Sequence, residues 1–304
     1  MNILVTGGKG YLGRYIVQEL LNEGHSVVNY NRDVCLPSDN PKHSYVVGEL
    51  YDVARLVTTI QIFKVDRIIH TAGQSHPDVG IEVPLATAEA NVMGTMGVLE
   101  AARLTGIKRV VVYSSECAYG NTHKDLVTED HPLNPRTPYG VTKAATEMMA
   151  RAYNECYGLV CIALRVCQVW GPGQVMQEYI RDAIRAAVRG EAFSLERGRD
   201  QKFQLIYITD AAKASVAACF TENESALSVY NITGGYQPTF GEVLTLLQEI
   251  IPDAQFDVGP GDFEYDDQGI FDISAAKADL GYIPLISLKE GLEAYVSWLR
   301  NHDL

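Results

Sequence analysis

Positive charge is scarce in this chain: 25 Lys and Arg stand against 38 Asp and Glu, a formal net charge of -13. Phosphate contacts along a nucleic acid require clustered Lys and Arg. No basic run or aromatic-basic interleaving is present, so a nucleic-acid partner is not expected. Long apolar runs are missing too, and none reaches the roughly 18–20 residues that a membrane span needs. No basic leader or cleavage site precedes the first apolar strand at residue 2, so neither a secretory signal nor a membrane partner is expected, and the expected location is cytoplasmic. The six cysteines, Cys35, Cys117, Cys156, Cys161, Cys167 and Cys219, form no Cys-x-x-Cys pair. Cys161 and Cys167 fall in an apolar strand pattern, where a reduced, buried thiol is the ordinary state. The seven histidines are scattered without a His-x-x-x-His or Cys/His cluster, so no metal site is expected.

What the chain does have begins at its first residues. Asn2-Ile-Leu-Val-Thr6 is a short apolar strand, followed by the glycine turn Gly7-Gly-Lys-Gly-Tyr-Leu-Gly13. A helix is expected over 11–22, closed by Gly24, and a second strand over 26–30. Strand, glycine turn, helix and strand within about 30 residues make the βαβ unit that binds a dinucleotide. Its glycines let the backbone turn tightly and approach a pyrophosphate, whose charge then rests at the helix N-terminus.

The alternation continues with strands at 44–47, 67–71, 109–114 and 159–166, and helices at 53–63, 86–104 and 138–157. Strands that are apolar on both faces imply a parallel sheet covered on both sides. The 304 residues are enough for such a core and a smaller second part. After Trp170-Gly-Pro-Gly173 the pattern loosens, with helices expected at 177–189, 210–220, 240–251 and 288–301, and strands at 205–208 and 229–232. The fold class is therefore α/β, a doubly wound parallel (Rossmann) sheet with a smaller C-terminal substrate lobe. The expected division is interleaved: 1–167 with 191–232 for the dinucleotide-binding part, and 168–190 with 233–304 for the lobe.

The stretch Asn134-Pro-Arg-Thr-Pro-Tyr-Gly-Val-Thr-Lys143 carries the chemistry. Thr137 is placed to cap the helix that follows, Pro138 suits its first turn and Gly158 its end. Tyr139 and Lys143 lie four residues apart, on one helix face. A nearby cation favours the phenolate and lowers a tyrosine from its usual value of about 10. Such a pair can move a proton to or from an alcohol near neutral pH.

The motifs now stand in order: Thr6-Gly-Gly-Lys-Gly-Tyr-Leu-Gly13, His70-Thr-Ala-Gly73, Asn91-Val-Met-Gly-Thr95, Tyr113-Ser-Ser-Glu-Cys-Ala-Tyr-Gly120, Pro138-Tyr-Gly-Val-Thr-Lys143 and Leu164-Arg-Val-Cys-Gln-Val-Trp-Gly-Pro172. Together they resemble the extended short-chain dehydrogenase/reductase family, in its NAD-dependent sugar epimerase/dehydratase branch, over nearly the whole chain. The resemblance implies that Ser115 orients the substrate oxygen, that Tyr139 is the catalytic acid or base, and that Lys143 holds the nicotinamide ribose and lowers the tyrosine pKa. It implies that Gly7, Gly10 and Gly13, with Tyr11 and Leu12, pack under the pyrophosphate. It further implies that Asn31 and Arg32 lie by the adenosine ribose, that Glu49 and Leu50 meet the adenine, and that Ala72 and Gly73 run along the cofactor. Asn91 is similar to a residue that supports the active-site helix. A twofold homodimer through 86–104 and 138–157 is implied as well.

Three departures from the family pattern bear on chemistry. The acid usual at the end of strand two is replaced by Asn31, followed by Arg32. Loss of a carboxylate and gain of a guanidinium favour a 2′-phosphate, so the cofactor is NAD or NADP, with a slight lean to NADP. The Asn and two Arg residues that grip a nucleotide-sugar diphosphate are replaced by Gln168, the stretch Lys202-Phe203-Gln204, and Gly259. Gln168 and Lys202 are then the candidate substrate contacts, with Arg199 as another cation nearby. Finally, Glu116-Cys117 follows Ser115, making Glu116 a candidate additional acid or base.

The expected activity is reversible hydride transfer between a nicotinamide cofactor and the secondary hydroxyl of a sugar or nucleotide sugar, with epimerisation through a transient ketone first. Net dehydrogenation or reduction of a free sugar or sugar acid comes second and sugar dehydration third. A cofactor-binding sensor without chemistry is the different-class alternative.

Overall fold

The computed structural model describes residues 1–34, 38–223 and 228–302; Cys35 lies outside the described residues. Seven parallel strands form the central sheet: β1 (Asn2–Thr6), β2 (Ser26–Asn31), β3 (His43–Val47), β4 (Arg67–His70), β5 (Arg109–Ser115), β6 (Val160–Val166) and β7 (Val229–Ile232). Their order is β7-β6-β5-β4-β1-β2-β3. The chain reverses direction across the sheet at β1, which pairs with β2 on one side and β4 on the other. Thr6 is in register with both Tyr30 and His70, so the strand ends that carry the glycine turn, Asn31 and Ala72 open on the same edge. A ligand crevice at this edge follows from the reversal.

Alternate residues of each strand feed two cores, as burial on both faces requires. Ile3 and Val5 pack with Ile16, Val17 and Leu20 of the helix Tyr11–Asn22 and with Ala211 and Ala214 of the helix Ile208–Phe220. Leu4 points the other way, toward Leu56, Val98, Leu99 and Ala150 on the helices Val53–Ile62, Gly94–Thr105 and Pro138–Tyr157. A third core belongs to the irregular C-terminal elements. It joins Trp170, Ile184, Phe203, Phe240, Leu244 and Tyr295.

The structure adds elements where the sequence pattern showed none. The helix expected over 86–104 begins as Pro84–Ala88, passes through a π-helical turn at Glu89–Met93, and resumes as Gly94–Thr105. Phe193–Leu195 pairs with Phe256–Val258, Gln168–Trp170 with Leu205–Tyr207, and Leu126–Val127 with Ile270–Phe271. These two- and three-residue strands are too short to show a period.

Candidate active site

A cleft of about 2110 Å³ lies over the C-terminal edge of the sheet, between the glycine turn and the C-terminal elements. Every candidate site residue read from the sequence lines it: Gly7, Gly10, Tyr11, Leu12, Gly13, Asn31, Arg32, Glu49, Leu50, Ala72, Gly73, Ser115, Glu116, Tyr139, Lys143, Gln168 and Lys202. Arg199 does not line it and packs against Gly241 instead, which removes it as a substrate cation.

The glycine turn is built for close approach. Gly7 has φ 72°, and a Cβ there would lie 2.8 Å from the Ala72 backbone. A Cβ on Gly13 would lie 2.1 Å from the Gly7 carbonyl. The helix Tyr11–Asn22 starts at Gly10 without a side-chain cap, so its first N–H groups face the cleft unclaimed by any side chain. Free helix N–H groups under a turn stripped of side chains fit a dinucleotide pyrophosphate. Asn31 is buried at the end of β2, where its Oδ1 accepts from the Lys9 N–H at 3.1 Å and its Nδ2 donates to Asn29 Oδ1. Arg32 beside it is exposed.

The reactive groups come from β5 and the helix Pro138–Tyr157. The helix forms as its caps dictate: the Thr137 side chain accepts from the Gly140 N–H at 3.1 Å, Pro138 opens the first turn, and Gly158 closes it in the left-handed conformation. Tyr139 and Lys143 are both buried. The Ser115 hydroxyl at the end of β5 is hydrogen-bonded to the Tyr139 phenol and accepts from the Cys117 N–H at 3.2 Å. Lys143 Nζ donates to the Tyr113 carbonyl at 3.1 Å and sits 5.5 Å from the centre of the Tyr139 ring.

Burial pushes the Tyr139 phenol above its ordinary value, with Cys117 and Glu116 adding to the rise and only the Ser115 bond opposing it. The lowering expected from Lys143 is therefore not what the protein alone displays. Desolvation of the whole pocket outweighs a cation whose hydrogen bond goes to a backbone carbonyl. The same burial brings Lys143 down to about 8. Glu116 is pushed up to about 8 by burial and by Asp266, against the Gln168 backbone N–H that stabilises its charge. Cys117 rises to about 12 by burial and by Glu116, which leaves it a thiol and a poor nucleophile.

Two supports of this arrangement carry weight. Asn91, within the π-helical turn, accepts from the Gln74 N–H at 2.8 Å and donates to the Gln74 carbonyl at 3.0 Å and to Thr142 Oγ1 at 2.9 Å. It ties the β4 loop to the helix that bears Tyr139. Beneath the site, Arg165 makes a bidentate pair with Glu147, both bonds 2.8 Å, and donates to the Tyr119 hydroxyl at 2.6 Å. Glu147 also accepts from Ser114, the neighbour of Ser115. Sequence reasoning missed this pair, although Tyr139, Lys143 and Glu147 recur every four residues on one buried stripe. Arg165 gave no signal within an apolar strand.

Residues 3–233 match the model of the NAD dependent epimerase/dehydratase family. Over its whole length the chain is 31% identical to the low-salt glycan biosynthesis protein Agl12 of Haloferax volcanii, covering 100% of both chains. It is 30% identical to a putative UDP-glucose 4-epimerase of Methanocaldococcus jannaschii, covering 99% of each. Its fold superposes on the UDP-glucuronic acid 4-epimerase from Bacillus cereus, solved with UDP-glucuronic acid and NAD, with a TM-score of 0.89, 25% identity and 99% of each chain covered.

Proposed function

The chain belongs to the NAD dependent epimerase/dehydratase family, and from that premise we propose that it inverts a secondary hydroxyl, at the 4-position, of a nucleotide sugar through a transient ketone. The observation that carries this reading is the Ser115–Tyr139 hydrogen bond at the strand edge, in one cleft with the glycine turn. Two named 4-epimerases among the similar proteins support it.

Gly7, Gly10 and Gly13 hold the dinucleotide, with Asn31 by its ribose and Glu49 and Leu50 at the adenine. We read it as NAD, because the Bacillus cereus neighbour holds NAD and because the Asn31 amide is already engaged by Lys9 and Asn29 while Arg32 lies at an exposed rim. The lean to NADP drawn from Arg32 is not carried forward. Bound there, the cofactor takes a hydride from the carbinol carbon and returns it. The protein's own part is the proton. Ser115 holds the substrate hydroxyl, Tyr139 removes its proton as the carbon is oxidised, and Lys143 positions the ribose beside them. When the sugar carbonyl presents its opposite face, the same phenol gives the proton back. No electrons are gained or lost overall, so an epimerase returns its cofactor unchanged.

Dehydration requires a second group to remove a carbon-bound proton and expel water. Glu116 sits close enough to Tyr139 to influence its phenol, but Cys117 contributes no base. Epimerisation therefore stands first. The test is a UDP-hexose deuterated at carbon 4, turned over in ordinary water by the purified protein. An epimerase returns both epimers with the label kept at carbon 4. Loss of water with solvent hydrogen entering the neighbouring carbons would establish dehydration instead.

We further propose a twofold homodimer through the helices of 84–105 and 138–157. Leu85, Met93, Met96, Val141, Met148 and Tyr157 leave large apolar side chains exposed there. No helix among the described residues is long and apolar enough to cross a membrane, and the reading places the enzyme in the cytoplasm.

A further inference from the structure

We propose that the sugar subsite of this cleft accepts an uncharged or cationic sugar ring and rejects a sugar carboxylate. The inference rests on the epimerase reading and narrows its substrate class. Ser115 runs directly into Glu116, whose backbone carbonyl accepts from Gln268 Nε2 at 3.0 Å. The Gln168 backbone N–H is hydrogen-bonded to the Glu116 carboxyl, and the Gln168 side chain to Glu178. A second acid, Asp266, stands near enough to Glu116 to act on its charge. Two carboxyls thus flank Gln168, with a third beside them, around the Ser115–Tyr139 pair.

Cations do not balance them. Among the described residues lining this half of the cleft, Arg136 is already paired with Asp266 at 3.1 Å and bonded to Asn121 at 3.3 Å. Lys143 donates to the Tyr113 carbonyl, and Lys202 lies exposed at the rim. The remaining polar atoms are acceptors. Gln204 and Gln174 line the cleft at 4% and 7% exposure, and the Oε1 of each has no hydrogen-bond partner. Buried acceptors are stable only when a donor meets them. Sugar hydroxyls or an ammonium donate; a carboxylate only accepts.

The subsite also holds its own acids against ionisation. Burial and Asp266 bring Glu116 from 4.5 up to about 8, and burial raises Glu178 as well. A carboxylate carried in by the substrate meets the same desolvation and the same neighbours. Each pKa unit is a tenfold tilt, so discrimination of at least about 100-fold is expected even if the substrate feels only part of the shift seen at Glu116. This sets the chain apart from its Bacillus cereus neighbour, which is solved with a uronate bound.

The experiment compares kcat/KM for UDP-glucose and UDP-glucuronate on the full-length, NAD-loaded protein. The neutral sugar is expected to lead by at least about 100-fold. Glu178→Gln should narrow that ratio by about tenfold, one pKa unit's worth of tilt, while its amide oxygen can still cap the Arg181 N–H. Because the ratio is internal to each protein, a fall in active fraction leaves it unchanged. A smaller ratio in the wild type, or one untouched by Glu178→Gln, overturns the inference and leaves the epimerase reading standing. Turnover of neither sugar defeats the epimerase reading and the inference with it.

Discussion

Gly140→Ala should damage catalysis while leaving the fold intact. Gly140 is the third residue of the helix Pro138–Tyr157, next to Tyr139, and its N–H is the one capped by Thr137. A Cβ built there lies 2.3 Å from the Cys117 carbonyl oxygen, where even a tight contact needs 3.0 Å. Backbone must therefore move by at least about 0.7 Å, either at the helix start or at the Ser115–Cys117 turn. Those two segments hold Tyr139 and Ser115, so the strain falls on the bond between them. A misplacement approaching 1 Å costs about 10²-fold in rate. Stability is pulled both ways: alanine in place of glycine favours the helix by about 1 kcal/mol, and the clash costs about 1–3 kcal/mol. The net change in stability is small beside the loss in kcat. Steady-state kinetics with a thermal melt and a cofactor titration on the same sample separate the three effects. A kcat within threefold of wild type would refute the claim that this close approach sets the Ser115–Tyr139 geometry.

Glu116→Gln should keep more than about a tenth of wild-type turnover, because hydride transfer to and from a ketone needs no second acid; a loss near 10³-fold would point to dehydration. Its effect on stability should depend on pH. The Glu116 carboxyl, raised in the folded state from 4.5 to about 8, contributes most below pH 4.5 and loses that contribution as pH rises through 8. The glutamine variant should therefore overtake wild type across that window, by about 1–3 kcal/mol at its upper end, and parallel melting curves against pH would contradict this. NAD should bind at least as tightly as NADP in calorimetric titration, and a clear preference for NADP would restore the role first read for Arg32. The double variant Leu85→Glu, Met148→Glu should sediment as a monomer while wild type sediments as a dimer at micromolar concentration; a monomeric wild type would remove the proposed interface.

Much of this site was legible because its local rules agree with the global fold. Thr137, Pro138 and Gly158 bound the active-site helix as their chemistry requires, and residues 7, 10 and 13 are glycine where backbone and helix meet. Strands apolar on both faces read directly as a parallel sheet. What escaped depends on contacts between distant residues. Phe193–Leu195 finds Phe256–Val258 some sixty positions away, and neither stretch has a pattern of its own. The π-helical turn at Glu89–Met93 keeps the helical period nearly intact, so it is silent in sequence while it sets Asn91 against Gln74 and Thr142. The Glu147–Arg165 pair joins a helix to a strand, and a lone arginine in an apolar run does not announce a partner. Electrostatics was the least legible. The spacing of Tyr139 and Lys143 was read correctly, but the degree of burial that governs both groups appears only in the packed structure.

The central claim is that Tyr139 moves the proton in the redox step, and Tyr139→Phe tests it most directly. The phenyl ring keeps the packing against Gly80 and loses only the hydroxyl that meets Ser115. With a UDP-hexose as substrate and NAD supplied, turnover should fall by about 10²–10⁴-fold, the usual worth of a positioned acid-base group, while the dissociation constant for NAD stays within a few-fold of wild type. Turnover within tenfold of wild type at unchanged NAD affinity would contradict the account.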